Sequence, residues 1–379
     1  MIPFHRVSTS ANEKKYLEEV YTNGKFCGDG PFGKKCEAKL KKYTGAPHAL
    51  VTSSCTHALD MSMKLIASMR TDKKEVLVPS FTFSSTANCI ILAGLTPVFC
   101  EIDEATLNIS VKDVEAKINK NTLAILPVHY AGVPCDMDEI NAIAKKWDCF
   151  VVEDAAHAIG SKYKGRDVGN LSDVSLFSFH ETKNISCGEG GAFLTRNSEI
   201  NERAHVFREK GTNRSQFIRG LVDKYTWVAE GSSPLIAEPL SAILLGQLEF
   251  LHEYNQTRKQ IHENYIKALK PLHDKELIRL PSIPSHVDSN YHLFFIRLKN
   301  QELRNSLLDY TRANGVQTTF HYIPLHNSPF GKSIAKTQET LPVTDKGSQT
   351  LLRLPLYPNL TEAEQNKVIS VVTSWSNTL

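Results

Sequence analysis

The stretch SFHETKNISCGEGGAFL at residues 178–194 places a single lysine, Lys183, between an apolar segment and a cluster of glycines. The residues before it, VSLFSF at 174–179, are mostly apolar and predict a buried strand. The glycines after it, within GEGG at 188–191, permit a tight turn and the close approach of another group. Because an arbitrary loop lysine is usually a solvated side chain, the rest of the sequence decides whether this amine has a chemical role.

Outward from this stretch, short apolar runs alternate with amphipathic segments through the first two thirds of the chain. The apolar runs include HALVT at 48–52, EVLVP at 75–79, LAIL at 123–126 and CFVVED at 149–154. Between them, segments such as CTHALDMSMKLIASM at 55–69 and MDEINAIAKKW at 137–147 have helical spacing. Strands that are apolar on both faces and alternate with helices predict an α/β sheet covered by helices on both sides.

The pattern changes near residue 241, where a single long helix is predicted from Ser241 to Leu269. After the proline-rich LPSIPSHV at 280–287 comes a smaller unit, with a strand in YHLFFIRL at 291–298 and a helix around ELRNSLLDYTRANG at 302–315. We therefore expect a large domain over residues 1–245, and a connecting helix with a small C-terminal α+β domain over residues 246–379.

Composition restricts the classes of partner. The formal net charge is only +3, which gives no reason to expect nucleic-acid binding. The N-terminal segment lacks the apolar core of a signal peptide, and no apolar run approaches the roughly 20 residues of a membrane span. We expect a cytoplasmic protein with no membrane partner, and no metal site because the sequence contains no C-x-x-C pair.

Three features stand where predicted strands end, which is where ligands bind in sheets of this kind. The hydroxyl-rich residues 52–56 precede a helix, whose start suits a phosphate, although ordinary N-capping also explains them. Asp154 ends an apolar strand and is either a helix cap or the partner of a protonated ring nitrogen. Phe83 is either a core side chain or a ring that stacks on a ligand.

A lysine, an acid, an aromatic ring and a hydroxyl-rich helix start together match one cofactor, pyridoxal 5′-phosphate (PLP). This cofactor needs a lysine for a Schiff base, an acid for its pyridinium nitrogen and a cup for its phosphate. Asp154 and Lys183 are 29 positions apart, enough for a helix or loop and one strand, so both can reach one pocket. The residues therefore predict a PLP enzyme, with pyridoxamine 5′-phosphate formed during turnover.

With these residues in place, the chain resembles the DegT/DnrJ/EryC1/StrS sugar aminotransferases. The resemblance runs from GKFCGDGPF at 24–32 to RLPLYPNL at 353–360, and its most specific parts are HETKN at 180–184 and KGTNRSQF at 210–217. It implies the fold-type I PLP aminotransferase architecture, in which a large domain with a mixed, mostly parallel sheet is followed by a smaller C-terminal α+β domain.

The resemblance also implies roles at the cofactor. Lys183 is the catalytic residue that carries the Schiff base and moves the proton. Asp154 holds the ring nitrogen, His157 neighbours the ring and Phe83 stacks on it. The residues implied at the phosphate are Ser54, Cys55, Thr56, Ser178 and, across a subunit interface, Ser233, where many members have an asparagine.

Within the group, the similarity at HETKN, KGTNRSQF and DKYTW implies dTDP-4-keto-6-deoxy-D-glucose as the amine acceptor and L-glutamate as the donor. The favoured product is a galacto-configured 4-amine for surface polysaccharide (lipopolysaccharide) biosynthesis. A gluco-configured 4-amine ranks second and a 3-keto sugar acceptor third. The implied assembly is a homodimer or a dimer of dimers.

Candidate substrate contacts come from three places in the sequence. The segment from Arg208 to Lys224 is rich in cations and suits a diphosphate, although a solvated mobile loop explains it as well. Other candidates are polar residues at a strand end and within FHYIPLH at 320–326, where structural roles are the alternative. These candidates are His129, Tyr130, Arg208, Lys210, Arg214, Arg219, Lys224, His321, Tyr322 and His326.

Three other functions fit the sequence less well than a transaminase does. A PLP dehydratase is disfavoured because such relatives have a histidine where this chain has Lys183. A non-catalytic binding protein is disfavoured because Lys183 and Asp154 are both present, and a half-reaction with glutamate decides the question. A nicotinamide-dependent Rossmann enzyme fits the alternation of strands and helices, but no G-x-G-x-x-G follows an early strand.

Overall fold

The computed structural model describes residues 1–334 and 340–379. The helices are α1 (Ala11–Asn23), α2 (Pro31–Thr44), α3 (Cys55–Met69), α4 (Ser84–Leu92), α5 (Val111–Lys117), α6 (Met137–Trp147), α7 (Ser198–Arg208), α8 (Arg214–Ile218), α9 (Glu238–Glu249), α10 (Leu251–Asp274), α11 (Gln301–Ala313), α12 (Pro329–Ile334), α13 (Pro342–Thr350) and α14 (Glu362–Ser376). The strands are β1 (His48–Thr52), β2 (Glu75–Pro79), β3 (Thr96–Cys100), β4 (Thr122–Ile125), β5 (Phe150–Asp154), β6 (Lys162–Tyr163), β7 (Arg166–Asp167), β8 (Val174–Ser178), β9 (Gly191–Thr195), β10 (Val287–Asp288), β11 (Phe294–Arg297) and β12 (Leu351–Leu354).

A sheet of seven strands forms the centre of the structure, in the order β1-β9-β8-β5-β4-β2-β3. Neighbouring strands are parallel from β8 through β5, β4 and β2 to β3. Strand β9 is antiparallel to both of its neighbours, β8 and β1. The mixed, mostly parallel sheet that the sequence predicted is therefore confirmed.

Helices cover both faces of this sheet, as the two-sided apolar strands predict. Within β2, Leu77 packs into one buried apolar cluster, whereas Val76 and Val78 pack into another on the opposite face. The first cluster includes apolar residues of α2, α6 and α9, and the second includes apolar residues of α3, α4 and α7. All three β2 side chains are fully buried, so the strand has no solvent face.

Gly191, at the start of β9, lets this strand approach the start of α3 closely. It pairs with Thr52 on one side and Ser178 on the other. A Cβ atom added to Gly191 would lie 2.4 Å from the backbone nitrogen of Cys55. Any other residue would therefore push the start of α3 away from the sheet.

The prediction of one long helix from Ser241 to Leu269 is wrong in one respect. The structure has two helices there, α9 and α10, which meet at Phe250. This residue has φ −102° and ψ 9°, outside the helical region, and its amide donates to Gln247 O at 3.0 Å. Leu248 and Leu251 are both buried on either side of the break, so the apolar pattern continues across it. No glycine or proline marks the break in the sequence.

The C-terminal unit is built on the antiparallel pair β11 and β12 with α10, α11 and α14 around it. The N-terminus also packs here: Ile2 is buried in the same apolar cluster, and its amide donates to Gly315 O at 2.8 Å. The first residues of the chain thus pack against the C-terminal core. The predicted boundary between two domains after residue 245 stays a prediction. Within the described part of the chain, no helix combines the length and apolar composition that a bilayer span requires.

Candidate active site

A cavity of about 540 Å³ lies beyond the carboxyl ends of the central strands. Residues that follow β1, β2, β5 and β8 line one side, and residues of the C-terminal unit line the other. Ten of the residues singled out in the sequence line it together. They are Ser54, Cys55, Thr56, Phe83, Asp154, His157, Ser178, Lys183, His321 and Tyr322.

Lys183 lies in the connection between β8 and β9, and its side chain is partly buried. Its amide donates to His180 O at 3.0 Å. Burial lowers the pKa of the Lys183 amine to about 8, an effect that Asp154 opposes and Arg353 reinforces. The amine is therefore partly neutral near neutral pH, which a nucleophile or a base requires.

The neighbouring Asn184 fixes the backbone that carries this lysine. Its side-chain amide donates to Asn255 Oδ1 and to Asn290 O, each at 2.9 Å. Its Oδ1 accepts a hydrogen bond from His292 Nδ1 at 2.8 Å. Residues of α10 and the C-terminal unit thus anchor the lysine segment.

Asp154 ends β5 and is almost fully buried. Its Oδ2 accepts a hydrogen bond from Thr86 Oγ1 at 2.8 Å, and its Oδ1 accepts one from the Ala156 amide at 3.2 Å. Burial raises the pKa of Asp154, while these hydrogen bonds and the Lys183 amine oppose that rise. No lysine or arginine among the described residues forms an ion pair with it, so a cationic ring nitrogen could supply the missing counter-charge.

Two rings line the same cavity as Asp154. Phe83 stands directly before α4 with 61% of its surface exposed, and it lines the cavity rather than the core. His157 is buried against His292, with ring centroids 4.3 Å apart. Burial lowers the pKa of His157 well below its usual value, and its Nδ1 has no hydrogen-bond partner among the described residues. The unsatisfied Nδ1 of His157 is suited to a hydrogen bond with a polar group of a ligand in the cavity.

The start of α3 forms a third part of the wall. Ser54 is the N-cap, because its hydroxyl accepts a hydrogen bond from the His57 amide at 3.0 Å. Thr56 Oγ1 lies 3.0 Å from Ser85 Oγ, so two hydroxyls from different helices meet here. A helix start carries unpaired amides and partial positive charge, so N-capping and phosphate binding are compatible at this place.

These three parts fit PLP: an anion site at the start of α3, a carboxylate without a cation, and an amine of lowered pKa. Asp154 would hold the ring nitrogen, and Lys183 would form the covalent link. Ser54, Thr56 and Ser178 would hold the phosphate.

The structure does not support Arg208 as a substrate contact. Its side chain is only 3% exposed, and its guanidinium donates to Glu37 Oε1 at 2.9 Å, Asp29 Oδ1 at 3.2 Å and Val51 O at 3.2 Å. All three partners belong to the same chain. Arg208 therefore connects α7 to β1, to α2 and to the loop between α1 and α2, and the charge that the sequence suggested for a diphosphate is already neutralised.

The other cations of this segment lie outside the cavity lining. Arg214 is half-buried, and Lys210, Arg219 and Lys224 are exposed. Arg219 forms a two-point ion pair with Glu202, at 3.0 and 2.6 Å. Arg214 donates to Glu209 at 3.2 Å, and Lys210 Nζ lies 4.0 Å from the same carboxylate. Lys224 and Ser233 are also exposed and outside the cavity.

Three predicted substrate contacts are structural within this chain. His129 is fully buried, with Nε2 3.0 Å from Glu153 Oε2 and Nδ1 accepting from the Cys135 amide at 3.2 Å. His326 Nδ1 lies 2.7 Å from Ser80 Oγ, away from the cavity. Tyr130 is buried outside the cavity lining, and its hydroxyl lies 3.1 Å from Nδ1 of His321, which does line the cavity.

Sequence reasoning missed several residues that line the cavity. Thr86 lies one turn after Phe83 on α4, and that spacing was the available signal. Phe4, His292 and Arg353 come from parts of the chain that only tertiary packing brings here. Arg353 belongs to RLPLYPNL, which carried the family resemblance but contains no local pattern that marks a site.

Comparison with known proteins bears on both the fold and the site. A family model described as the DegT/DnrJ/EryC1/StrS aminotransferase family matches residues 7–373. An uncharacterised protein of Methanocaldococcus jannaschii is 34% identical over 351 residues, covering 90% of this chain and 89% of that protein. The aminotransferase TlmJ from Streptoalloteichus hindustanus has a TM-score of 0.91 at 29% identity, covering 100% of this chain and 99% of TlmJ.

A protein of Streptococcus pneumoniae described as a sugar aminotransferase is also similar. Its pyridoxamine-phosphate form has a TM-score of 0.90 at 25% identity, covering 100% of this chain and 98% of that one. The same protein has also been solved in its PLP form. These likenesses confirm the fold-type I PLP aminotransferase architecture.

Proposed function

The chain belongs to the DegT/DnrJ/EryC1/StrS aminotransferase family, and from this premise we propose that it transfers an amino group from L-glutamate to dTDP-4-keto-6-deoxy-D-glucose with PLP as cofactor. The observation that carries the proposal is the convergence of Lys183, Asp154 and the start of α3 on one cavity. Glutamate leaves as 2-oxoglutarate, and the carbonyl of the sugar becomes an amine, so the two substrates exchange nitrogen and oxygen.

When bound, PLP supplies the electron sink that stabilises negative charge on the carbon that loses its proton. Lys183 Nζ accepts that proton and returns it to the neighbouring position, which its lowered pKa of about 8 allows near neutral pH. The Asp154 carboxylate would keep positive charge at the ring nitrogen of bound PLP, and the Thr86 hydroxyl holds the carboxylate in place at 2.8 Å.

The sugar nucleotide is proposed to bind through its diphosphate to the exposed cations of residues 210–224. Lys210, Arg214, Arg219 and Lys224 are at the surface, where a diphosphate could exchange with their present carboxylate partners. A 6-deoxysugar offers few hydroxyls, so its binding depends largely on the nucleotide. This segment and Ser233 are proposed to serve the active site of a partner subunit in a homodimer or a dimer of dimers.

A product analysis tests the proposed specificity. Purified protein is incubated with L-glutamate and dTDP-4-keto-6-deoxy-D-glucose, and the product is examined by NMR. A galacto-configured amine on C4, suited to surface polysaccharide synthesis, is the expected product. A gluco-configured amine would correct the stereochemistry. Nitrogen on C3, or no reaction with the 4-keto sugar, would overturn the acceptor assignment but leave the transaminase assignment intact.

A further inference from the structure

Residues 1–10 form a strap that runs from the C-terminal unit, past the active-site cavity, to α9. At one end, Ile2 is buried in the core of the C-terminal unit, and its amide donates to Gly315 O at 2.8 Å. At the other end, the Ser8 carbonyl accepts a hydrogen bond from Gln247 Nε2 of α9 at 2.6 Å. The strap is therefore held at both ends, which fixes its middle residues beside the site.

In the middle of the strap, His5 contacts the connection between β8 and β9 that carries Lys183, the lysine segment. His5 Nε2 lies 2.7 Å from the carbonyl oxygen of Glu181. Because a carbonyl oxygen can only accept, Nε2 carries the hydrogen and donates it. No other hydrogen bond to Glu181 O occurs within residues 1–334 and 340–379. His5 thus holds a backbone group that stands two residues before Lys183 and has no other partner in this part of the protein.

The neighbours of His5 fix its ring. It packs edge-on against the buried Tyr357, with ring centroids 6.3 Å apart. Arg6 lies 5.3 Å from the centroid of the same tyrosine ring and forms an ion pair with Glu364 at 3.0 Å. Burial lowers the pKa of His5, so the ring is neutral near neutral pH and keeps its one hydrogen for the Glu181 carbonyl.

The strap also supports the other flank of Lys183, through Gln247. This side chain is buried in α9, where its Nε2 donates to the strap and its Oε1 accepts a hydrogen bond from the Ser186 amide at 3.3 Å. Glu181 and Ser186 stand on either side of Lys183 in the chain. The anchors of Asn184 come instead from α10 and the C-terminal unit, so the strap is a separate support of the lysine segment.

The lysine segment depends on such anchors because it lies outside the helices and strands. Within it, the Lys183 amide donates to His180 O and the Glu181 amide donates to Gly188 O, each at 3.0 Å. A segment with few hydrogen bonds of its own opens locally at low cost unless other elements hold it. Without His5, the Glu181 carbonyl would turn to water, and the Lys183 amine would become more hydrated.

We propose that His5 is a positioning residue for Lys183, which holds the lysine segment so that the amine stays buried in the cavity where it captures the cofactor. This inference rests on the proposed function, because it takes Lys183 as the residue that forms the covalent link. His5 itself does not line the cavity, so it acts through the backbone of the lysine segment. Its neighbour Phe4 does line the cavity, so the strap also forms part of the wall.

Two substitutions separate the hydrogen bond of His5 from its bulk. His5→Gln keeps an N–H donor with a similar reach, whereas His5→Leu keeps an apolar side chain without a donor. Cofactor-free protein is mixed with PLP, and capture is followed by stopped-flow absorbance across the titration range of a lysine. At neutral pH, His5→Leu should capture PLP roughly tenfold more slowly, which is the loss of neutral amine that a pKa higher by about 1 causes. His5→Gln should stay within about twofold of wild type.

The pH profile of capture distinguishes positioning from a general loss of stability. Burial is the main cause that lowers the pKa of Lys183 to about 8, so hydration of the amine raises that pKa. The midpoint of the profile should therefore move up, toward that of an ordinary lysine, in His5→Leu, and stay near about 8 in His5→Gln. Both variants keep the titratable and charged groups that act on Lys183 or respond to it, namely Cys55, Asp154, His157, His292, His321 and Arg353.

His273→Leu is the matched control. His273 Nδ1 lies 3.3 Å from Ile278 O, so this histidine also contacts a backbone carbonyl, but it belongs to the last turn of α10 and does not touch the lysine segment. His273→Leu should leave the capture rate within about twofold of wild type and the midpoint unchanged.

Hydrogen–deuterium exchange gives a readout without cofactor. In cofactor-free protein, the peptide that contains residues 180–188 should exchange faster in His5→Leu than in wild type, His5→Gln or His273→Leu, while circular dichroism shows that all four are folded.

An unchanged capture rate and midpoint in His5→Leu would overturn the inference, as would equal changes in His5→Gln or in His273→Leu. Failure of wild type to capture PLP on Lys183 at all would instead overturn the proposed function.

Discussion

Thr86 Oγ1 donates a hydrogen bond to Asp154 Oδ2 at 2.8 Å in the interior of the protein, joining the first turn of α4 to the end of β5. Thr82 Oγ1 lies 2.9 Å from Thr86 Oγ1, which extends the chain of hydroxyls back toward β2. This relationship explains how a carboxylate whose pKa is raised by burial keeps a fixed orientation. It also makes the proposed ring-nitrogen contact testable in two steps.

Asp154→Asn should weaken PLP binding by about 100-fold, because a neutral amide cannot hold a protonated ring nitrogen. Thr86→Val, which removes only the supporting hydroxyl, should weaken it by about tenfold, in line with about 1.5 kcal/mol for a hydrogen bond to a charged group. Both affinities are measured by absorbance titration of the cofactor-free protein. Wild-type affinity in Asp154→Asn would show that this carboxylate does not face the ring.

The pH dependence of PLP capture follows from the lowered pKa of Lys183. As the pH falls below about 8, an increasing fraction of the Lys183 amine is protonated and cannot attack, whereas an ordinary lysine is mostly protonated up to about pH 10.5. The rate of capture by cofactor-free protein should therefore rise with pH and level off above about pH 9. Stopped-flow absorbance measures this rate. A rate that continues to rise up to pH 10.5 would contradict the effect of burial on this amine.

The sequence predicted the sheet and half of the site because both depend on local patterns. Apolar strands such as β2 and β5 were visible as runs. Asp154 is the last residue of β5, and Lys183 lies in the short connection that follows β8. The break at Phe250 was not visible, because the apolar spacing continues from Leu248 to Leu251 without a glycine or proline.

Residues whose roles depend on tertiary partners could not be assigned from local patterns. The sequence suggested Arg208 as a ligand for phosphate. In the structure it pairs with Asp29 and Glu37, which are far from it in the sequence. His129 likewise looked like a residue at the open edge of the sheet, but its partner Glu153 lies beside Asp154 and directs it inward. No local pattern marked Arg353 as a site residue, because only the packing of the C-terminal unit brings it to the cavity that Lys183 lines.

Arg219→Ala tests the proposed diphosphate contact. The KM for the nucleotide sugar should rise by about tenfold through loss of a charge-assisted contact, with little change in the glutamate half-reaction. Arg203→Ala is the control, because Arg203 is also exposed and ion-paired, to Glu199 at 2.9 Å, but lies outside the segment. An equal KM effect in the control would indicate a general loss of positive charge rather than a specific contact.

The exposed apolar side chains near this segment predict an assembly. Ile218, Leu221 and Trp227 are 58, 65 and 77% exposed, an arrangement typical of a contact surface. The protein should sediment as a dimer or a dimer of dimers at assay concentration, and Leu221→Asp should shift it toward monomer with loss of activity. A fully active monomer would contradict the proposal that a partner subunit completes the site.

The most direct test of the account is to locate the bound cofactor. The purified protein should be yellow, lose that colour on addition of L-glutamate, and, when reduced with borohydride beforehand, yield one labelled peptide with the adduct on Lys183. Lys183→Ala should fold, as judged by circular dichroism, and lose turnover by several orders of magnitude because the covalent link and the proton carrier are both removed. An adduct on a different lysine, or full turnover in Lys183→Ala, would contradict the account.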